Sequence, residues 1–472
     1  MRQARSSHQS YRNGTIGATI GATFGATIGA WGHRAGRQPA AAPVARPDSP
    51  EALQAILQTG SGHAAPLRPM GAGSASTPCS VARGGTVIDM TALDGILDIG
   101  DEHVTVQAGL RLQRLADQLA GYGLELAGGH DLMGRTVGGA VAGACIGPGT
   151  GAGTRLFSSQ VVSMKVVTPE GGELAVDDSR PHLLDMFRLS YGLLGVIHEV
   201  TLRVRPMSPF TIRRRRCTTA QLAAVTDRLL GSKLGLRFYL LPFRDQVYLE
   251  LRRGGDEDTS VNRLLWKIKD WGESTILPAM TNSMSWIVPI PALRYGMIDR
   301  INGAGQSLFS GPVLAGSAAV EQGGDRPAGR TGRRLATSSW CFPAAEFPLI
   351  VQAYREFCRD YYARSRFRCD MPTVGYRLSQ DRSALLSPSF DGPVFVLRAV
   401  SSPHPQWQDF VLELAEFAEK WNGIPFLDQT DGLSPGQVGG ALGSRLEFFR
   451  KMRRRLDPDG RLLNPYLAQF FL

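Results

Sequence analysis

The chain has 472 residues, of which 43% are hydrophobic and 20% are charged, so it is long enough for two or three domains with a sizeable core. Its 52 Lys and Arg against 42 Asp and Glu give a net charge of +10, which favours anionic ligands or surfaces without choosing between them. The basic clusters at 213–216 and 451–455 are short and typical of solvated faces. Because no zinc-finger or basic-zipper pattern accompanies them, we expect no nucleic-acid partner.

The six cysteines and eight histidines are scattered along the chain. They form no CxxC pair and show no HExxH or His-x-His spacing, so the sequence predicts neither a disulfide framework nor a metal site. Reduced thiols are the ordinary state in the cytosol, and we therefore expect a cytoplasmic protein.

Residues 1–48 differ in composition from the rest. Within them, 15–32 contain a four-residue repeat that brings Gly17, Gly21, Gly25 and Gly29 into register. As a helix, this repeat would present the small-residue face with which membrane helices pack, but it is at or below the usual spanning length and rich in Thr and Gly. We favour a disordered low-complexity tail, with membrane contact through 15–32 as the alternative.

From residue 49 to 206 the pattern indicates a folded domain. Ser49 followed by Pro50 predicts a capped helix start, and the apolar spacing of 112–119 predicts a second helix. Alternating apolar residues predict strands at 85–90, 103–109, 160–168 and 199–204.

Two glycine-rich turns, 69–76 and 136–143, interrupt these elements, and each follows an apolar run. Glycine accepts positive φ and leaves room for phosphate oxygens to reach backbone N–H groups. One such turn is common in ordinary loops, whereas the pair predicts a cradle for a large anionic ligand. The alternative is that the glycines serve only as tight turns in a structural domain.

The order of these features resembles the FAD-binding domain of the vanillyl-alcohol oxidase family, also called the p-cresol methylhydroxylase type. Besides the two turns, it includes the strand at 85–90 and the ending at 192–206, and the resemblance covers residues 49–206.

This resemblance implies FAD as cofactor and implies which residues bind it. The pyrophosphate would be bound at Gly71, Ala72, Gly73, Ser74, Ala75 and Ser76, and the rest of the cofactor at Thr136, Gly138, Gly139, Ala142, Gly143, Gly147, Ser159, Ile197 and Asn464.

One departure from the family concerns the covalent link. Many members have a histidine bonded to the flavin where this chain has Ser74, and serine cannot form that bond. We therefore expect dissociable FAD. His130 is a second possible tether in principle, and we favour an ordinary loop histidine there.

Residues 207–420 predict a second domain, with strands at 236–240 and 246–251 in an antiparallel sheet covered by helices. Residues 376–390 and 456–467 resemble the C-terminal domain of sugar-lactone and alditol oxidases, which implies that the segment 421–472 returns to the FAD domain. The whole is thus an α+β fold: a two-subdomain FAD-binding domain plus an α+β substrate (cap) domain. The apolar stretch 264–295 predicts either a pocket cover or a membrane contact, or packing on its own domain.

A second departure from the family concerns a residue beside the flavin. The lactone oxidase relatives have a lysine beside the flavin where this chain has Gln429, and Arg377 and Arg445 are candidate replacements for its charge. By resemblance, the catalytic candidates are Tyr376, Arg377, Asp381 and Gln429.

These features predict an FAD-dependent oxidoreductase that transfers hydride from an alcohol, a lactone or a related small molecule to flavin, and then to dioxygen or another acceptor. One alternative is a flavin-dependent reductase or epimerase acting on a lipid-linked sugar or a sterol-like substrate. Another is a flavin-binding subunit without turnover.

Overall fold

The computed structural model describes residues 42–127, 134–147, 149, 154–254, 291–308, 313–316 and 335–472. The expectations for the repeat at 15–32, for His130 and for most of 264–295 lie outside these residues.

Helices occur throughout the described ranges. They are α1 Pro50–Leu57, α2 Leu112–Gly121, α3 Val137–Ala142, α4 Pro181–Phe187, α5 Thr219–Gly231, α6 Pro291–Leu308, α7 Phe347–Ser365, α8 Trp407–Lys420, α9 Pro435–Leu442, α10 Ser444–Leu456 and α11 Pro465–Phe471. The predicted start of α1 is confirmed, because the Ser49 hydroxyl accepts a hydrogen bond from the Ala52 N–H at 3.1 Å. No helix in the described ranges is long and apolar enough to cross a bilayer.

The first sheet is small and parallel. Its strands are β1 Val44–Ala45, β2 Leu67–Met70 and β3 Thr86–Asp89, in the order β1-β3-β2. Leu53 and Leu57 of α1 pack with Leu67 and Ile88 into a separate small core. Because β2 runs directly into residue 71, this core fixes the point from which the first glycine turn begins.

The second sheet has six strands. They are β4 Ile96–Ile99, β5 His103–Gln107, β6 Leu124–Leu126, β7 Val161–Val167, β8 Glu173–Asp177 and β9 Val196–Pro206, in the order β4-β5-β9-β7-β8, with β6 paired to β9. The predicted strands β5, β7 and β9 are confirmed. The sequence did not predict the edge strands β4 and β8, because their solvated residues weaken the apolar alternation.

The third sheet is antiparallel and has eight strands. They are β10 Pro209–Cys217, β11 Gly235–Leu241, β12 Gln246–Gly254, β13 Val313–Gly316, β14 Ala336–Pro343, β15 Thr373–Leu378, β16 Val394–Ser401 and β17 Ile424–Pro425, in the order β13-β10-β12-β11-β15-β16-β14-β17. Helices cover one face, where Phe347 of α7 stacks on Phe395 with ring centroids 3.9 Å apart and lies 5.2 Å from Phe238. The antiparallel sheet of the predicted second domain is confirmed.

The opposite face of this sheet is turned toward the first domain. A Cβ on Gly235 would lie 1.7 Å from the Gly149 carbonyl oxygen, so the two backbones touch there. Nearby, the Ser379 N–H donates to the Thr154 carbonyl at 2.8 Å. Residues that alternate onto this face therefore lie close to the loops of the first domain.

The C-terminal segment also returns to the first domain, as predicted. The Leu67 N–H donates to the Arg461 carbonyl at 2.7 Å, which extends the edge of the first sheet, and Leu462 is buried in the core of that sheet. Asn464 caps α11 and also donates to the Val81 carbonyl at 2.8 Å.

Candidate active site

A cavity of about 820 Å³, its open mouth included, lies where the two glycine turns meet. Most of the predicted cofactor residues line it: Gly71, Ala72, Gly73, Ser74, Ala75, Thr136, Gly138, Gly139, Ala142, Gly143 and Ile197. The two motifs, about sixty residues apart in the chain, thus form one wall.

The turns are in direct contact. A Cβ on Gly71 would lie 2.0 Å from Thr136 Oγ1, so only glycine lets the first turn approach the second this closely. Thr136 in turn accepts a hydrogen bond from the Gly139 N–H at 3.3 Å and caps α3. The second motif was predicted as a turn, and the structure corrects this: most of it is a short helix.

The first turn offers backbone donors to the cavity. The N–H groups of Gly71, Ala72, Ser74 and Ala75 make no hydrogen bond to another residue within the described ranges. Gly73 takes a φ of +62°, a left-handed conformation that suits glycine. A curved run of backbone donors fits the pyrophosphate of a dinucleotide, which is what FAD requires at this position.

The side chains of the cavity do not favour a covalent flavin link. Ser74 is exposed at the turn, and its hydroxyl cannot form the bond that the family histidine makes. Burial raises the pKa of the Cys79 thiol to about 11, and the charge of Asp428 adds to this effect. A protonated thiol is a poor nucleophile, so the raised pKa of Cys79 does not favour a covalent link there.

Asp428, in the C-terminal segment, fastens the two turns together. Its carboxylate forms a buried ion pair with Arg135 at 2.9 Å and accepts the Ala144 N–H at 3.3 Å, while its carbonyl accepts the Ser76 N–H at 3.0 Å. Burial, the largest single influence, lowers the pKa of Arg135, but the charge and hydrogen bond of Asp428 together with the nearby Cys145 and Cys79 thiols outweigh it, so the pKa is raised. Neither residue was predicted from the sequence, although Arg135 directly precedes the second motif.

Arg68 lines the cavity and binds the backbone of three segments around it. Its buried guanidinium donates to the carbonyls of Cys79 at 2.9 Å, Tyr191 at 2.6 Å and Leu462 at 2.5 Å. Tyr191 and Leu189 have left-handed φ values of 53° and 54°, which side chains rarely adopt. Arg68 thus ties a strained cavity segment to the first sheet and to the C-terminal segment, and burial lowers its pKa to about 10.

Four predicted cofactor residues lie outside the lining. Ser76 makes the contact with Asp428 given above, and Gly147 is buried beside the second motif. Ser159 donates to the Leu156 carbonyl at 2.7 Å, and Asn464 donates to the carbonyls of the segment that carries Cys79. These contacts place them as supports of the cavity wall.

Two of the catalytic candidates, Gln429 and Tyr376, each lie beside Arg398 of β16, whose side chain is on the face of the third sheet that is turned toward the first domain. Gln429 donates to the Ala144 carbonyl in the second glycine motif, and its side-chain oxygen accepts from Arg398 at 3.0 Å and from Ser339 at 3.2 Å. The Arg398 guanidinium carbon lies 5.7 Å from the centroid of the Tyr376 ring. The cation beside Gln429 is therefore Arg398, which the sequence analysis did not single out.

The structure does not bring the other candidates to Gln429. Arg377 lies on the helix-covered face and donates to the carbonyls of Leu230 at 2.6 Å and Ser232 at 3.1 Å at the end of α5. Arg445 donates to carbonyls in the loop at 385–387. Asp381 accepts the Leu156 N–H at 3.2 Å and so joins the two domains. Neither Arg377 nor Arg445 therefore lies beside Gln429, the position of the family lysine, whereas Arg398 does.

A further correction concerns the basic cluster at 213–216, which we expected to be a solvated face. Arg214 is buried on β10 and pairs with Glu250 of β12 at 2.6 Å. Arg213, Arg215 and Arg216 are exposed, so the expectation fails for Arg214 alone.

Comparison with known proteins identifies both halves of the chain. A family profile described as an FAD binding domain matches residues 41–177, and one described as D-arabinono-1,4-lactone oxidase matches residues 200–470. The chain is 29% identical over 206 residues to the mitochondrial L-galactono-1,4-lactone dehydrogenase of Arabidopsis thaliana, covering 43% of this chain and 33% of that protein. It is 30% identical over 218 residues to the L-gulono-1,4-lactone dehydrogenase of Mycobacterium tuberculosis H37Rv, covering 45% and 49% respectively.

The chain thus spans about a third to a half of the length of these curated relatives. Among solved structures, cholesterol oxidase from B. sterolicum superimposes with a TM-score of 0.72 at 16% identity, covering 91% of this chain and 94% of that one, which shows a shared fold. The predictions of the fold and of FAD as cofactor are confirmed. Because the lactone oxidase profile covers more than half of the chain, the protein belongs to the D-arabinono-1,4-lactone oxidase family of FAD-binding oxidoreductases.

Proposed function

We propose that the protein is an FAD-dependent oxidoreductase that oxidises a CH–OH group of a small hydroxylated molecule, such as a lactone, with FAD held non-covalently. The observation that carries this proposal is the contact between the two glycine motifs, which form one cavity wall with backbone donors along it. The names of the relatives, which are lactone dehydrogenases and oxidases, support the class of substrate.

The residues divide into those that hold the cofactor and those that line the substrate side. Backbone N–H groups from Gly71 to Ala75 bind the pyrophosphate, and α3 with its Thr136 cap supports the remainder of FAD. The ion pair between Asp428 and Arg135 keeps both motifs in place around it. The chemistry that FAD supplies when bound is the acceptance of a hydride.

On the substrate side, Gln429 and Tyr376 are the groups we place nearest the reacting carbon. Gln429 is held in one orientation, since its oxygen faces Arg398 and its amide nitrogen faces the second glycine motif. Arg377 and Asp381 act as positioning residues, because they fix the end of α5 and the junction between the domains.

We further propose the domain division 1–48, 49–206, 207–420 and 421–472, together with a cytoplasmic location. The first family profile ends at residue 177 and the second begins at residue 200, on β9, so the change from one to the other falls close to the proposed boundary at 206. All six cysteines are free thiols, which suits a reducing compartment.

The test is steady-state turnover by the FAD-loaded protein with lactones, polyols, hydroxy acids and sterols. An artificial dye acceptor and a peroxide assay would run in parallel, so that dehydrogenase and oxidase activity are separated. We expect turnover with at least one CH–OH donor, abolished by removing FAD and restored by adding it. If the protein instead reduces a ketone, or epimerises a substrate without net oxidation, the reductase or epimerase alternative is the correct function.

A further inference from the structure

Arg68 carries a buried positive charge in the wall of the cofactor cavity. It lies on β2, shortly before Gly71, and is only 2% exposed. Its guanidinium donates to the backbone carbonyls of Cys79, Tyr191, Gly192 and Leu462. Carbonyl oxygens are neutral acceptors, so these contacts hold the guanidinium in place without cancelling its charge.

No carboxylate in the described part of the chain forms an ion pair with Arg68. The carboxylate of Asp457 acts on it from a greater distance, and this carboxylate already accepts the N–H groups of Arg461 at 2.7 Å and Leu462 at 2.9 Å. Burial therefore outweighs the charges of Cys79 and Asp457, and it lowers the pKa of Arg68 to about 10. The positive charge of Arg68 is thus incompletely balanced by the protein.

The other charges in the cavity wall balance each other. Among the described residues that line the cavity, the charged side chains are those of Arg68, Arg135 and Asp428. Asp428 lies 2.9 Å from Arg135, and both are buried. Two guanidiniums and one carboxylate leave the described lining with an excess of positive charge, which belongs to Arg68.

Arg68 also keeps one N–H donor. A guanidinium has five N–H groups, and the four carbonyls use one from Nε, two from Nη1 and one from Nη2. Beside Nη2 lies Gly192, which lines the cavity and has a left-handed φ of +67°. A Cβ at this position would lie 3.8 Å from Nη2, so glycine leaves this part of the wall uncovered.

The ligand expected along the first glycine turn is an anion. The pyrophosphate of FAD loses hydration when it enters a cavity, and charge of the opposite sign offsets this loss. The free backbone N–H groups between Gly71 and Ala75 supply only partial charges. Arg68 precedes them on the same strand and supplies a full charge.

We propose that Arg68 balances the charge of the FAD pyrophosphate and thereby sets the affinity of the chain for its cofactor. The inference rests on the proposed function, from which it takes the cofactor and the place of the pyrophosphate along the first turn. It gives Arg68 an electrostatic role in positioning the cofactor, in addition to its contacts with the backbone.

The experiment measures binding to the full-length protein from which flavin has been removed. The probes are FAD, followed by flavin fluorescence, and ADP and adenosine, followed by calorimetry. ADP has the pyrophosphate without the flavin, and adenosine has no phosphate. We expect ADP to bind at least about tenfold more tightly than adenosine, since hydrogen bonds to charged groups contribute that much.

Arg68→Gln is the main variant, because the amide keeps two donors for the surrounding carbonyls and removes the charge. It should weaken binding of FAD and ADP by about tenfold or more and change binding of adenosine by less than about twofold. Arg68→Lys keeps the charge without the planar fork, so it should retain most of the preference for ADP over adenosine.

Arg453→Gln is the matched control. Arg453 is 3% exposed, donates to the Asp457 carbonyl at 3.2 Å and does not line the cavity. Its substitution should leave the binding of all three probes unchanged. Circular dichroism and urea unfolding check that each variant is folded.

Equal losses of ADP and adenosine binding in Arg68→Gln would show that Arg68 only supports the backbone, and would overturn the inference. Unchanged FAD binding in Arg68→Gln, or an equal loss in Arg453→Gln, would overturn it as well. If Arg68→Gln does not fold, Arg68→Lys decides: a retained preference for ADP over adenosine supports the inference, and a lost preference contradicts it.

Failure of the inference is distinguishable from failure of the proposed function. If a CH–OH donor reduces the flavin of the unmodified protein and Arg68→Gln binds FAD as tightly, the function stands and the role of Arg68 does not. If the unmodified protein takes up no FAD, or if no donor reduces its bound flavin, the function itself fails.

Discussion

The contact between Gly71 and Thr136 gives the sharpest prediction. In Gly71→Ala, the new Cβ would lie 2.0 Å from Thr136 Oγ1 and 3.0 Å from both carbons of that side chain that it meets. Since Cβ atoms essentially never approach other atoms within 3.0 Å, the two motifs must separate by about 1 Å.

The size of the effect follows from that displacement. Extra atoms forced into a packed contact typically cost about 1–3 kcal/mol. Here the strain falls on the cofactor wall, so we expect FAD binding to weaken by about tenfold or more. Thr136→Gly removes all three contacted atoms, and as a helix cap it costs only a few tenths of a kcal/mol relative to threonine.

The assay is a double-mutant cycle with FAD dissociation constants from flavin fluorescence titration of the apoprotein, and urea unfolding of each variant. In the Thr136→Gly background, the atoms that the new Cβ of Gly71→Ala would contact are absent, so the substitution should cost little there. We therefore expect a coupling energy between the two substitutions of about 1 kcal/mol or more in FAD binding. Gly439→Ala is the control, because its Cβ would meet nothing within 4 Å in α9, and we expect unchanged FAD binding.

Additive effects in the cycle would refute this reasoning, as would a Gly71→Ala variant that binds FAD as tightly as the unmodified protein. A loss of similar size in Gly439→Ala would show that the assay reports general destabilisation instead.

Three further outcomes follow from the cavity. Asp428→Asn leaves Arg135 buried without its carboxylate and should lower the free energy of unfolding by about 3–5 kcal/mol. Asp391→Asn, which removes an exposed partner of Arg445, should change that free energy little. Equal effects of the two substitutions in urea titrations would contradict this. Acid precipitation should release all flavin into the supernatant, because Ser74 forms no covalent bond, and colour kept in the pellet would contradict it. Burial raises the pKa of Cys79 from 9.0 to about 11, so the stability that its protonated thiol contributes is present below pH 9 and is lost as pH rises toward 11. In Cys79→Ala, the free energy of unfolding should therefore fall less between pH 9 and pH 11 than in the unmodified protein.

The sequence predicted the parts of the site that depend on local backbone chemistry. Gly71 and Gly73 stand out because few other residues accept such close packing or a left-handed φ, and both line the cavity. The helical form of the second motif was missed, because glycine disfavours helices. There the Thr136 cap and the close packing of Gly138 against Ala108 stabilise the helix.

Contacts between residues far apart in the chain could not be predicted from local sequence patterns. Asp428 meets Ala144 across 284 positions, so nothing local marks it as part of the cofactor wall. Arg398 is similar, because its contacts with Gln429 and Tyr376 come from three separate strands or loops. Arg214 was expected in solvent, since its partner Glu250 lies 36 positions away on another strand.

The most direct test of the account is anaerobic titration of the FAD-loaded protein with CH–OH donors of each class while the visible flavin absorbance is followed. We predict that at least one donor bleaches the flavin band in proportion to the amount added, and that exposure to air or to a dye acceptor restores it. A protein that takes up no FAD, or whose bound flavin is bleached by dithionite and by no donor, would contradict the proposed function.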